Sequence, residues 1–251
     1  VVSSREGEIY RITPRRNDSV NDSWMTDSGR ELYKQVKSDD RIITPIIDGE
    51  SSTLADAISS ASELLKDKKL AIVGSCRSTV EEQYLLTKLA RNSKGKKFLR
   101  GHFGDDDGIL LASDRTPNLR GALATGFSAK YPSDQLSDLS RALSKGQFDT
   151  LLVMGEDILD SGVTRDDLKG VKVIYLGTHR NETSALANVL IPTLTSFEKT
   201  GSFINRTFRL QSFKQAVPGP AGLLPDLHIL ASLINSLLEE GEQSADLAQI
   251  W

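Results

Sequence analysis

The polar residues best spaced for chemistry lie between residues 180 and 213, where Glu198 and Lys199 precede Gly201, and Asn205, Arg209 and Gln211 follow it. A carboxylate, an ammonium, a guanidinium and two amides in so short a stretch could hold an anionic, hydrogen-bonding ligand. They come after an apolar run, Val189, Leu190 and Ile191, that ends in Pro192. A polar loop beyond the carboxyl end of a buried strand is where α/β sheets bind ligands. Pro192 lacks the N–H that continues a central ladder, so the chain is expected to leave the sheet there, and Gly201 is expected to supply a positive φ in a tight turn. The other use of these groups is internal, because an irregular loop needs polar partners for its own backbone whatever it binds.

Other chemistries find less support. The three histidines (His102, His179, His228) and the single Cys76 have no metal-ligand spacing, so a zinc or iron site made by this chain alone is not expected. There is no Gly-x-Ser-x-Gly for a serine hydrolase. The turn at residues 74–79 (GSCRST) has one glycine of the three in a dinucleotide fingerprint. Residues 121–128 (GALATGFS) have the glycine spacing of a phosphate loop, but Phe127 stands where its lysine is required. Asp105, Asp106 and Asp107 lack the alternating spacing of a calcium loop and read as a solvated turn before Ile109, Leu110 and Leu111. His228 is expected to be half-buried packing at the start of a terminal helix.

The elements that position these residues follow from periodicity. Compact runs rich in β-branched and aliphatic residues at 69–74, 150–155, 171–177 and 189–191 read as strands buried on both faces, in a sheet of roughly five parallel strands in all. Leu54, Ile58, Ala61, Leu64 and Leu65 fall at helical spacing behind an N-cap at Thr53 and a first-turn Asp56. Ser78 and Glu81 fit a capping box before Tyr84, Leu85, Leu86, Leu89 and Ala90. Leu136, Leu139 and Leu143 make another helix face, and Leu227, Leu230, Ile234, Leu237 and Leu238 a last one. The pattern predicts an α/β domain with a doubly wound, mainly parallel sheet. Before it, residues 7–13 alternate as a half-buried strand in a β-rich appendage anchored by Trp24, and residues 37–50 read as a polar connector. The expected division is an appendage over 1–48, the α/β domain over 49–240, and a frayed acidic tail over 241–251.

With 31 basic and 34 acidic side chains the net charge is −3, which disfavours nucleic acid and acidic lipid as partners. No apolar run approaches the ~20 residues of a membrane span, and one cysteine cannot form an internal disulfide, so a cytoplasmic address is expected. The first residue is Val1, which suggests a piece of a longer polypeptide.

The stretch after residue 180 also resembles a signature of the molybdopterin oxidoreductase superfamily: Glu-Thr-Ala, Ala-Asp and Val-Leu-Pro, then Glu-Lys-x-Gly-Thr-x-x-Asn and Arg-x-Gln. Glu182, Thr183 and Ala185, Ala187 and Asn188, Leu190, Ile191 and Pro192 hold the first places, and Glu198, Lys199, Gly201, Ser202, Asn205, Arg209 and Gln211 the last. Asn118, Gly121 and Gly126 resemble that superfamily's pterin-facing loop. The run at residues 12–33 looks most like the large iron–sulfur subunits of NADH:quinone oxidoreductases (respiratory complex I) and their relatives in NAD-linked hydrogenases and formate dehydrogenases. Asn21, Gly29 and Arg30 match, but Thr26 holds the place of the fourth [4Fe–4S] cysteine and Ser28 that of a lysine. A threonine hydroxyl is a hard, neutral oxygen that cannot replace a thiolate on iron.

The resemblance implies a formate dehydrogenase/DMSO reductase-like domain, with no counterpart of the Cys or Ser that ligates molybdenum. It implies a structural and docking role without a cofactor of its own, in a parent oxidoreductase whose [2Fe–2S] and [4Fe–4S] clusters lie elsewhere. The partners implied are other subunits of a respiratory complex or preceding iron–sulfur domains, peripheral on the inner face of the plasma membrane. The alternative is a module that still binds a pterin guanine dinucleotide or another nucleotide at the Asn118 and Asn205 loops.

Overall fold

In the computed structural model, which describes residues 1–66, 68–108 and 111–251, the chain opens with an antiparallel pair, β1 (Val2–Arg5) and β2 (Glu8–Ile12). Ile109 and Leu110 of the expected apolar run lie outside the described residues. The register passes from Ser3↔Arg11 to Ser4↔Ile9, leaving Tyr10 as a bulge. That extra residue breaks the strict alternation expected for residues 7–13 and lets Ile9 and Ile12 join one cluster with Met25, Tyr33, Val36, Phe197 and Val217. Trp24 is 68% exposed and anchors nothing, because these aliphatic residues and Phe197 fill the place expected for it. The short helix α1 (Asp27–Glu31) follows.

The stretch expected to be a polar connector contributes β3 (Ile46–Ile47) and β4 (Glu50–Ser51), and both enter the main sheet. Helix α2 (Leu54–Leu65) starts as expected, with Thr53 Oγ1 accepting from the Asp56 N–H at 3.1 Å. Strand β5 (Leu70–Ser75) has every residue buried. At the start of α3 (Val80–Asn92) the capping box is Thr79 with Glu82, one residue later than expected. Ser78-x-x-Glu81 and Thr79-x-x-Glu82 both fit the pattern, and the turn out of β5 selects the second. Leu85, Leu86 and Leu89 are fully buried, each contributing about 1.5–3 kcal/mol.

After β6 (Lys96–Arg100), α4 (Leu119–Ala124) and α5 (Ser137–Ser144) come three further buried strands, β7 (Thr150–Met154), β8 (Lys172–Gly177) and β9 (Val189–Pro192). The chain leaves the sheet at Pro192, as its missing N–H requires. Beyond it lies a hairpin, β10 (Gly201–Ile204) with β11 (Leu210–Phe213), where a polar loop was expected. Gly201 does not have a positive φ. It is the point where the hairpin touches α3, and a Cβ there would lie 2.6 Å from Thr79 Cγ2. Helix α6 (Asp226–Asn235) carries Leu227, Leu230 and Ile234 of the last apolar stripe and ends before Leu237 and Leu238, and His228 is exposed because Leu227, Ile229 and Leu230 take the buried positions around it. The tail forms a further turn, α7 (Leu247–Ile250), packed on the core, and Trp251 Nε1 donates to Glu81 Oε1 at 3.0 Å.

The seven strands run in the order β4-β3-β9-β8-β7-β5-β6, and β9, β8, β7, β5 and β6 are mutually parallel. On one face Ile72, Leu152, Ile174 and Ile191 pack with α2, α3 and α6. On the other, Val73, Leu151, Val153 and Tyr175 pack with α5. The order of the parallel strands reverses between β5 and β7, which opens a crevice at their carboxyl ends.

Candidate functional site

The residues marked out by spacing fall into two groups. Glu198 is buried, and its Oε2 accepts from Arg41 Nη2 at 2.6 Å, from the Thr195 N–H at 2.7 Å and from Thr195 Oγ1 at 2.9 Å. Lys199 lies 2.5 Å from Glu82 and 3.3 Å from Asp226. Burial opposes the charge on Lys199, but Asp226 and Glu82 together hold its pKa above the usual lysine value. Burial pushes the Glu82 carboxyl up, Lys199 pulls it down and Asp226 adds to the rise, with a net upward direction set chiefly by burial.

Asn118 is fully buried and uses its whole amide internally. Its Oδ1 accepts from the Ile204 N–H at 2.7 Å, and its Nδ2 donates to Ser78 O at 2.7 Å and to Gln83 Oε1 at 3.0 Å. Gly121 sits against that amide, where a Cβ would stand 2.3 Å from Oδ1. Lys199, Asn118 and Gly121 thus tie β10 and its approach to the first turns of α3 and α4, while Glu198 ties that approach to Arg41. Asn205, Arg209 and Gln211 belong to the hairpin: Asn205 Oδ1 accepts the N–H groups of Thr207 and Arg209 at 3.0 and 2.9 Å, Arg209 is exposed, and Gln211 pairs across to Phe203.

A cavity of about 440 Å³ lies at the carboxyl ends of β5, β7 and β8, and sequence reasoning missed most of its residues. Glu156 follows β7 after Gly155, whose φ of 69° turns the chain out of the sheet. Its carboxylate is 1% exposed, accepts from Ser75 Oγ, and lies 2.9 Å from His102 Nε2 and 3.6 Å from Arg100. Arg100 also donates to Asp157 O at 2.6 Å and Asp160 Oδ2 at 2.8 Å, and its hydrogen bond holds the Asp160 carboxyl below the usual range. Arg100 Nε is buried without a partner among the described residues. A strand, a glycine and then a carboxylate (Met154, Gly155, Glu156) was the available signal.

Ser75 and His102 go to different oxygens of Glu156, so the imidazole is not hydrogen-bonded to the hydroxyl it would have to activate. Burial pushes the Cys76 thiol up to about 12, which leaves it protonated and inert. The Tyr175 hydroxyl is likewise pushed up to about 12 by burial, against the hydrogen bond from Asn181. An iron–sulfur cluster does not fit the residues present. Thr26 Oγ1 caps α1 by accepting from the Gly29 N–H at 3.0 Å, and no group of three His, Cys, Asp or Glu among the described residues could hold a metal ion.

Residues 119–236 match the family model described as "Molybdopterin oxidoreductase", and residues 1–34 match "NADH-ubiquinone oxidoreductase NDSU1/NuoG-like, 4Fe-4S domain". Among curated proteins, the G subunit of NADH-quinone oxidoreductase from Pseudomonas fluorescens is 37% identical over 86 residues, covering 34% of this chain and 10% of that protein. Its counterpart from Pseudomonas putida is 30% identical over 155 residues, 61% of this chain and 15% of that protein. The F420-dependent formate dehydrogenase subunit alpha of Methanocaldococcus jannaschii is 24% identical over 199 residues, 74% of this chain and 27% of that protein. The chain therefore spans between 10% and 27% of the length of these relatives. A chain in the crystal structure of the formyltransferase/hydrolase complex of Methylorubrum extorquens with methylofuran shares the fold, with a TM-score of 0.54 at 10% identity over 77% of this chain and 98% of that one.

Proposed function

We propose that this chain, a molybdopterin oxidoreductase domain joined to an NADH-ubiquinone oxidoreductase-type 4Fe-4S domain, is a structural and docking piece of a protein like the G subunit of NADH-quinone oxidoreductase and carries no cofactor itself. The observation that carries the reading is the internal use of the signature's polar groups. Glu198, Lys199 and Asn118 spend their charge and hydrogen bonds on Arg41, Glu82, Asp226 and the β10 backbone, and Thr26 spends its hydroxyl on a helix cap. Redox work then belongs to [2Fe–2S] and [4Fe–4S] clusters in other parts of a longer parent, and electrons pass this domain by. The sheet is read as doubly wound, with 1–48 an appendage tied to the 49–240 domain by β3 and with 241–251 a tail. No helix among the described residues is long and apolar enough to cross a membrane, so attachment to the inner face of the plasma membrane would run through partner subunits. Elemental analysis and a visible spectrum of the purified chain test the reading. Iron, molybdenum or tungsten near one equivalent would overturn it.

A second reading, a nucleotide- or pterin guanine dinucleotide-binding module, is favoured by the cavity where the strand order reverses, whose volume falls within the ~300–1,000 Å³ of small-molecule sites. Arg100, with its unpartnered Nε, and His102 would face the anionic part of such a ligand. Titration calorimetry with guanosine diphosphate and with the pterin guanine dinucleotide discriminates the two. Micromolar binding lost in Arg100→Met would replace the first reading with the second.

A further inference from the structure

One border of the main sheet is β6, and a groove of about 570 Å³ runs along it against α5 and residues 128–133. Residues 128–133 meet the strand only at its end, through the Arg100↔Ser133 bridge, where the Gly101 N–H donates to Ser133 O at 3.0 Å. Backbone direction alternates along a strand, so the N–H groups of Leu99 and Lys97, two and four residues earlier, point to the same outer edge. Among the described residues neither donates to a side chain or to backbone outside the strand ladder. The groove is also strongly basic. Lys96, Lys130, Arg141 and Lys145 line it, with the Lys97 ammonium turned away onto Gly126 O, against one acid, Asp138, which already binds Arg141 at 3.1 Å, although the whole chain carries a net −3.

Lysines on a border strand ordinarily repel a second strand, since they place charge where another sheet edge would stack. They do not repel a strand that brings carboxylates, and such discrimination by charge is how an exposed edge becomes selective. Half-buried Phe98 and Tyr131, which is 55% exposed, give the alternate side chains of an incoming strand an apolar surface. The cations are spread along the strand and α5, and the unmet backbone donors call for a row of carbonyl acceptors, which an extended peptide supplies and a compact anion does not. We infer that the open edge of β6 takes an acidic, extended peptide segment of a partner protein as an added strand. The groove carries this independently of whether the strand-end cavity holds a ligand, so metal and nucleotide measurements there do not bear on it.

Fluorescence anisotropy of a labelled eight-residue peptide alternating Glu and Val, titrated with the whole chain, tests the inference. Binding should weaken on raising salt to physiological strength, where charges are screened beyond about 8 Å. It should weaken by roughly tenfold or more in Lys96→Glu/Lys130→Glu/Lys145→Glu, three exposed charge contacts being lost. N-methylation of alternate peptide residues should abolish it, and hydrogen exchange at the Lys97 and Leu99 amides should slow in the complex. An N-methylated peptide that binds as well as its parent, a Lys-for-Glu peptide that binds equally, or a single-stranded oligonucleotide that binds in preference to the acidic peptide would overturn it. Should the triple variant not fold, the two peptide controls and the exchange measurement still decide.

Discussion

Gly201→Ala should destabilise the domain through one contact, and a second substitution should relieve it. A Cβ at residue 201 would stand 2.6 Å from Thr79 Cγ2, 3.1 Å from Thr79 Cβ and 3.2 Å from Phe213 Cζ. Thr79 cannot swing aside, because its Oγ1 accepts from the Glu82 N–H at 3.2 Å and its own N–H donates to Glu82 Oε2 at 2.9 Å. Overpacking of this kind costs about 1–3 kcal/mol, and dislodging the cap adds about 0.5–2 kcal/mol. Thr79→Ser removes the methyl group and keeps the capping oxygen, at about 0.8 kcal/mol for one buried carbon. In the double variant the 2.6 Å contact is gone, and the two remaining ones need shifts of a few tenths of an ångström. Urea denaturation of the four proteins at 25 °C should give a double variant about 1–2 kcal/mol more stable than the sum of the singles. Additivity within ~0.5 kcal/mol would refute the steric account, since Thr79→Ser has no means to relieve a backbone constraint at residue 201.

Arg41→Met leaves Glu198 buried without its cation and should cost about 3–5 kcal/mol in chemical denaturation, most of it recovered by adding Glu198→Leu. Asp167 is held down to about 2 by the hydrogen bond from Ser144, against burial, with help from the Thr164 N–H and Ser140. The native state then binds fewer protons than the unfolded state between the ordinary 3.8 and about 2, so this stabilisation is complete above pH 3.8 and lost as pH falls. Asp167→Asn should flatten melting temperature against pH in that window, and an unchanged slope would count against the assignment. Lys199→Met removes the cation between Glu82 and Asp226, so its destabilisation should grow as pH rises above the ordinary Glu value of 4.5, because the raised Glu82 pKa makes the native state the stronger proton binder. Thr26→Ala removes a cap on a short exposed helix and should cost about 0.5–1 kcal/mol, with the iron content of the longer parent unchanged.

The parallel strands were legible because their residues are buried on both faces, which leaves uninterrupted aliphatic runs such as Leu70 to Val73 and Leu151 to Met154. The starts of α2 and α3 were legible to within one residue, since Thr53 has a single partner at the right spacing whereas Ser78 and Thr79 each have one. The hairpin after Gly201 was hidden. Its turn runs through Phe208 at a φ of 60°, with no Asn-Gly or Asp-Gly to announce it. Gly201 itself was chosen for the wrong property: a glycine needed for close approach and one needed for backbone freedom look alike in sequence, and only the neighbouring Thr79 distinguishes them. The strand-end cavity stayed out of view because Ser75, His102 and Glu156 are far apart in the chain and meet only where β5, β6 and β7 end side by side.

Glu81 and Glu82, at the start of α3, accept hydrogen bonds from groups far along the chain. Glu82 binds Lys199 and Glu81 the Ser202 N–H, 117 and 121 residues on, and Glu81 also takes Trp251, 170 residues on. Until β10 and α7 reach α3, a growing chain must hold these two carboxylates at a helix start without most of their partners. Contacts of such long sequence separation form late and slowly, because each closes a large loop. These contacts should therefore be absent from the folding transition state of this domain, and residues 1–150 alone should be aggregation-prone through the unpaired edge of β5.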